Sequence, residues 1–344
     1  MVGRVRALKT GGSLLRLVVS LVVGVLLLVG LLWWVGIERL LTLMSEASPL
    51  WLTVSALLIF PAYFLRALRW KFLLLPVKNS VGIGNAFWAT AIGFMVNTLI
   101  PIRLGEFARA YILGEKEQIG FAPSFSSIIV ERTLDLIGLL TIGLIAMLLL
   151  PVGVDLPSWV LNGFGVVGVL ICIFLAIIIV GVKRERFILK LARKVFSFLP
   201  FFRRRIDRVV GFVESLISGL RGLSQNPKMF AVNMVLTWSL WLFYCFTVFF
   251  VFKAFNHPIS VVAVILGAVL LNLTYIFPAA PGYVGTYEAY WSLIFMALGV
   301  TQTDLLLAMG LISHLLGIVV IVGLGCAGVV WLGLSFGEAF KVKK

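Results

Sequence analysis

Four long stretches of this chain, Leu17 to Val35, Trp159 to Val182, Met229 to Phe252 and Leu305 to Leu334, contain no Asp, Glu, Lys or Arg. Each is long enough to cross a hydrocarbon layer of about 30 Å as a helix. Inside a bilayer every backbone polar group must be paired within the protein, so spanning segments are helices or closed barrels. A barrel would alternate apolar and polar residues in segments of about ten, and no such alternation occurs. Hydrophobic residues make up 61% of the 344 and charged residues 12%, about half the charged share of soluble domains. These features give an all-α polytopic membrane protein, read as one membrane domain over residues 1–344.

The net charge of +15 is explained by accumulation of Lys and Arg on the cytoplasmic side, and gives no reason to invoke nucleic acid. The N-terminus (residues 1–16) is basic, and the first span ends in Trp33 and Trp34, an interfacial anchor rather than a cleavage site. The second span, about Pro49 to Trp70, ends in Arg66, Arg69, Lys71 and Lys78. The fourth runs from about Pro123 to Leu150, the fifth from Trp159 to Val182. The segment 183–228 then carries twelve Lys or Arg. Its apolar residues from Ile206 to Leu220 recur at helical spacing, as in a helix lying on an anionic membrane surface. A sixth span covers about Met229 to Phe252, and the last is Leu305 to Leu334. Both termini are expected in the cytoplasm. Of the 29 Lys and Arg, only Arg39, Lys253 and the intramembrane Arg132 depart from a cytoplasmic placement.

Two segments do not fit a simple span. The first, residues 84–118, contains NTLIPIRLGEFAR from Asn97 to Arg109. Bases follow its short apolar run, so it enters and leaves on one side, with Pro101 near the tip. The second, residues 261–298, contains NLTYIFPAAPGYVGTYE from Asn272 to Glu288 and is expected to enter and leave from the opposite side. The result is about six full transmembrane helices and two broken re-entrant hairpins of opposite orientation. Such hairpins are a pattern of transporters with binding near the midplane. Asn97, Pro101, Gly105 and Glu106 in the first segment correspond in order, not in spacing, to Asn272, Pro281, Gly285 and Glu288 in the second.

Three groups of polar residues carry the functional expectations. Arg103, Glu106 and Arg109 are three apart on a helix, where Glu106 could pair with either Arg. Arginine suits bidentate phosphate binding, so a lipid phosphate site and a cytoplasmic turn held by ion pairs are both open. Glu131, Arg132 and Asp135 lie inside the fourth span, where each ionised group costs about 2.5–3.5 kcal/mol on insertion scales. Glu131 and Asp135 would repel and Arg132 and Asp135 attract. Glu131 therefore needs a basic partner, with Arg103, Arg109, Arg66 and Arg69 the candidates. A structural clamp and direct substrate contact both remain open. In the second hairpin, a half-helix starting after Gly285 would aim free N–H groups at a cavity. Glu288 in its first turn would suit that helix end, repel an anion, and could hold a proton or a cationic head group; a lipid-shielded kink with Glu288 at the outer interface is equally open. His314 in the last span reads as a hydrogen-bonded packing residue, with a proton relay as the alternative. Cys172, Cys245 and Cys326 have no metal spacing, and the two histidines are far apart. No cofactor, metal site or catalytic motif is expected, nor an enzymatic activity.

The motifs N-x-x-x-P-x-R-x-G-E, E-R-x-x-D and P-G-x-x-G-x-x-E, in NTLIPIRLGEFAR, IIVERTLDLIGLL and FPAAPGYVGTYEA, resemble the flippase-like membrane domain of lysylphosphatidylglycerol synthases. The resemblance runs from about Leu14 to Leu334, and Tyr283 replaces a Gly often found after Pro-Gly in that family. It implies translocation of an anionic or modified phospholipid, or of a polyprenyl-phosphate-linked lipid, between leaflets of a prokaryotic plasma membrane. The aminoacyl-transferase domain of the full synthases finds no room here. Membrane lipids are the expected partners, and a homodimer or a separate cytoplasmic transferase is compatible with this reading. The alternatives are a membrane subunit presenting lipid to that transferase, and a scaffold that transports nothing.

Overall fold

The computed structural model describes residues 37–100, 104–150, 157–198, 226–275 and 281–334, with a few isolated positions besides. The expected first span, the terminal segments, Pro101, Arg103, Pro278 and most of the surface helix expected through Ile206 to Leu220 lie outside the described residues. Among the described residues the regular structure is helical. The helices are α1 (Ile37–Glu46), α2 (Pro49–Leu74), α3 (Ile83–Leu99), α4 (Gly105–Lys116), α5 (Phe121–Leu148) and α6 (Ser158–Lys183). They continue with α7 (Glu185–Phe198), α8 (Pro227–Ala254), α9 (Val261–Thr274), α10 (Thr286–Ala297) and α11 (Thr303–Trp331).

Helix length separates full spans from broken ones. Helices α2, α8 and α11, of 26, 28 and 29 residues, are long and apolar enough to cross a membrane. Helix α5 has 28 residues but carries the Glu131, Arg132, Asp135 triplet. By contrast α4 and α10 have 12 residues each, and α9 has 14. At 1.5 Å per residue they reach only about 18–21 Å, short of a hydrocarbon core. Large apolar side chains such as Leu57, Leu148, Val319 and Val330 face outward, where lipid takes the place water has around a soluble protein. The molecule is a multi-pass membrane protein.

Helices α3 and α4 form the first hairpin. At its base Glu117 accepts hydrogen bonds from the Gly82 N–H (2.9 Å), Asn85 Nδ2 (2.7 Å) and Lys78 Nζ (2.7 Å). At its tip the Asn97 side chain joins both strands of the turn. Its Oδ1 accepts from the Gly105 N–H at 2.7 Å, and its Nδ2 donates to Glu106 Oε2 at 3.0 Å. The helices meet so closely that a β-carbon on Gly105 would fall 1.8 Å from the Gly93 carbonyl oxygen. Glycine is therefore required by contact at this tip.

Helices α9 and α10 form the second hairpin, with Gly267 against Phe295 and Leu298 nearer its base. Its turn passes through Pro281–Tyr283 and then Gly285, which caps α10 at φ 76°. Gly282 (φ 63°) and Tyr283 (φ 59°) are also left-handed. The half-helix expected after Gly285 thus begins at Thr286. Asn272, in contrast with Asn97, donates to the Ala268 carbonyl of its own helix at 2.8 Å.

Helix α11 fixes the relative direction of the hairpins. Lys116, at the base of the first, donates to the Leu332 carbonyl just past the C-terminal end of α11. The second hairpin leads through Leu298 and Val300 directly into the N-terminal end of α11. The two bases therefore lie at opposite ends of a helix about 43 Å long, and the tips point toward each other. They meet where a β-carbon at Gly282 would stand 3.6 Å from the Thr98 carbonyl oxygen.

Candidate functional site: a buried arginine cluster beside the hairpin tips

Six charged residues converge from three helices, Arg66 and Arg69 from α2, Arg109 from α4, and Glu131, Arg132 and Asp135 from α5, with uncharged partners from α8. Glu131 Oε1 is the hub. It receives Arg109 Nη2 at 3.0 Å, Arg132 Nη2 at 3.1 Å, Arg66 Nη1 at 3.2 Å and Arg69 Nη2 at 3.4 Å. Asp135 meets Arg69 at 2.7 Å, Arg66 at 3.0 Å and Arg132 at 3.3 Å. Arg66 Nη1 bridges both carboxylates, which resolves the repulsion between two acids one helical turn apart.

Aromatic and hydroxyl groups hold the guanidinium planes. Arg109 lies 4.9 Å over the Trp70 ring. Arg66 lies 5.1 Å over Phe94 and 5.5 Å over Trp241. Trp241 Nε1 also donates to Asp135 Oδ1 at 3.1 Å, and Arg69 Nη1 donates to Thr237 Oγ1 at 2.7 Å. Trp70 Nε1 is fixed by Ser127 Oγ at 2.8 Å. None of these uncharged residues stands out in the sequence, where tryptophans and threonines in apolar runs read as span residues.

The structure sorts the expected site residues. It brings together Arg109, Glu131, Arg132 and Asp135, and the basic partner expected for Glu131 exists three times over in Arg66, Arg69 and Arg109. Two expectations are corrected. Glu106 bonds Asn97 rather than Arg109, whose guanidinium is taken by Glu131, while Arg103 lies outside the described residues. Arg66, Arg69 and Arg109 do not sit at a cytoplasmic surface, since all three are at most 1% exposed. Ion pairing lets them lie about 7–12 Å inside their helix ends. Asn97 and Glu106 shape the first tip, while Asn272, Pro281, Gly285 and Glu288 belong to the second hairpin. There Glu288 has its own partner, His314 Nδ1 at 2.7 Å, a pair that no local spacing signals.

The cluster is electrostatically unfinished. Four guanidinium groups face two carboxylates, which leaves two positive charges. Among the described residues Arg66 Nε, Arg69 Nε, Arg109 Nη1 and Arg132 Nε are buried without a hydrogen-bond partner, and so is Glu131 Oε2. Burying unpaired donors and net charge is costly. The arginines are fully enclosed except Arg132, whose side chain is 37% exposed and forms the mouth of the site. Planar donors with surplus positive charge and an opening at one edge suit a phosphate or another oxyanion.

Comparison with known proteins gives the same region a lineage. Residues 18–335 match the lysylphosphatidylglycerol synthase TM region. A UPF0104 membrane protein of Methanothermobacter thermautotrophicus is 22% identical over 338 residues, covering 94% of this chain and 98% of that protein. A UPF0104 membrane protein of Pyrococcus horikoshii is 23% identical, over 82% of this chain and 87% of its own length. Glycosyltransferase AglD of Haloferax volcanii is 24% identical over 327 residues, which is 87% of this chain and 51% of that protein. No solved structure matches. With the whole bundle from the first apolar run to the end of α11 covered by one family, this chain belongs to the lysylphosphatidylglycerol synthase transmembrane-region family.

Proposed function

We propose that this chain moves a lipid with an anionic phosphate head group between the leaflets of a prokaryotic plasma membrane, and carries out no covalent chemistry of its own. The observation that supports this reading is the buried surplus of two arginine charges with unpartnered N–H groups at the closed ends of two opposed hairpins. The phosphate would enter at Arg132 and be held by Arg66, Arg69 and Arg109. The apolar chains would stay in the bilayer beside the outward-facing leucines and valines. The contact between the Thr98 carbonyl and Gly282 is the barrier between the two sides. Movement of one hairpin against the other would transfer access across it.

The test uses proteoliposomes containing head-group-labelled phosphatidylglycerol or a labelled polyprenyl phosphate, with a membrane-impermeant quencher outside. Arg132→Gln is the informative variant, because Arg132 is the partly exposed member and its loss leaves Glu131 with three arginine partners. Wild type is expected to expose inner-leaflet label, and the variant to do so at least tenfold more slowly while remaining monodisperse. A wild type that exposes neither label overturns autonomous translocation. A second reading then takes over, favoured by the alignment of this chain with about half of a protein named a glycosyltransferase: presentation of a lipid to a separate transferase.

A further inference from the structure

A second buried polar site lies apart from the arginine cluster, on the other hairpin. Glu288 is 2% exposed and sits in the first turn of α10, beside the turn that meets the first hairpin. His314 lies about 17 Å along α11 from its start, near the middle of the helix. Glu288 Oε1 and His314 Nδ1 are 2.7 Å apart, and Glu288 Oε2 has no partner among the described residues. The Tyr287 ring stacks on the imidazole at 4.5 Å, and its hydroxyl meets Ser313 Oγ at 3.1 Å.

Among the described residues the other titratable groups placed near the pair are tyrosines. From α11 the facing group is His314 itself, with Ser313 beside it. From α9 and the turn they are Tyr275 and Tyr283, whose rings meet at 4.6 Å, and Tyr275 is within electrostatic reach of Glu288. Helix α10 adds Tyr287. Among the described residues no lysine or arginine pairs with Glu288, in contrast with the four arginines on Glu131.

Proton bookkeeping follows from this geometry. Two heavy atoms at 2.7 Å share one proton, donated here by the imidazole N–H or by the carboxyl O–H. With that proton alone the pair carries one negative charge, buried and with one carboxylate oxygen unpaired. A second proton makes the pair neutral, either as carboxylate with imidazolium or as carboxylic acid with imidazole. A buried net charge with an unpaired oxygen is costly, and the N-terminal end of α10 offsets part of that cost for the carboxylate.

We infer that Glu288 and His314 form a proton-binding site that couples proton movement to opening of the second hairpin. Its use in transport rests on the translocation reading above, whereas the proton site itself does not. The first measurement therefore needs no transport. Infrared difference spectra of purified protein, recorded across a pH series, are expected to contain a protonated-carboxyl or imidazolium band that responds to pH in wild type. The band should vanish in Glu288→Gln and shift its midpoint in His314→Gln, with monodispersity checking that each variant folds. A wild type without a titrating band, or a band unchanged in Glu288→Gln, overturns the site and leaves a fixed structural ion pair. The second measurement imposes a pH gradient on the proteoliposomes. One proton per lipid supports up to about a tenfold change in label distribution per pH unit. Wild type should respond, and the ratio with and without gradient should fall to one in Glu288→Gln whatever its absolute rate. A titrating band without a gradient response overturns the coupling. A titrating band in a wild type that moves no lipid overturns translocation and retains the proton site.

Discussion

The two hairpins resemble each other in outline and differ in how they are closed. The first is held at both ends. Asn97 joins its turn, Gly93 and Gly105 bring the backbones into contact, and Glu117 gathers three donors at the base. It also contributes Arg109 to a cluster in which each carboxylate has several partners. The second turns through three left-handed residues, Gly282, Tyr283 and Gly285, and among the described residues its Asn272 bonds only its own helix and its buried acid has one partner. A hairpin that is locked at tip and base suits a fixed wall of a binding site. One held by apolar and ring contacts, with its buried acid tied to a neighbouring helix by one pair, suits the moving part.

The largest difference between the two sides should appear when each acid is neutralised. Glu131→Gln leaves four arginines with one carboxylate, and breaking a buried pair in this way costs about 3–5 kcal/mol. Thermal unfolding in detergent should fall steeply, or the protein should fail to purify as a single species. Glu288→Gln keeps a neutral hydrogen bond to His314 and should lose only about 1–3 kcal/mol. Equal losses would remove the distinction drawn between the sites.

Glycine substitutions test the tips themselves. Gly105→Ala drives a β-carbon into the Gly93 carbonyl and the Asn97 side chain, so its cost should reach the upper end of the ~1–3 kcal/mol typical of overpacking, or exceed it. Gly282→Ala meets nothing closer than 3.6 Å and pays only for its positive φ, about 1–2 kcal/mol. The asparagines extend the comparison. Asn97→Ala leaves the Gly105 N–H and Glu106 without their bonds and should cost about 1–3 kcal/mol, against about 0.5–1.5 kcal/mol for Asn272→Ala. Thermal shifts of the four variants, measured side by side, give the order.

The smallest effect concerns the base of the first hairpin. Burial alone would raise the Glu117 carboxyl, but bonds from Lys78, Asn85 and the Gly82 N–H outweigh it and hold the group below the usual glutamate range. Its folded pKa is depressed, so its stabilisation is present above the ordinary glutamate value and is lost as pH falls through the folded one. Amide exchange at Gly82 should accelerate under acid relative to the rest of α3, and Glu117→Gln should abolish that pH dependence.

Much of the fold could be read locally. Apolar length marked the spans α2, α5, α8 and α11, and the breaks at Ile100 and around Gly285 marked the short helices, because Pro, Gly and charge disrupt a membrane helix wherever they occur. The site was legible only in part. The E-R-x-x-D triplet declared itself as charge at membrane depth. Arg66 and Arg69 looked like a basic span end, since a guanidinium near a helix terminus reads as interfacial until an acid from another helix is known to face it. Trp70, Thr237 and Trp241 gave no signal, because an apolar run is where such residues are expected.

The sequence by itself determined that this chain lives in a membrane, where its helices run, where two of them break, and that ionised residues are carried inside. These follow from transfer free energies and backbone chemistry, which act over a few residues at a time. Tertiary structure alone decided the partners: Glu131 with arginines 65, 62 and 22 positions away, Glu106 with Asn97 instead of Arg109, and Glu288 with His314. Those choices depend on the distances at which helices cross, and a pairing energy that falls off over a few ångströms is set by that geometry.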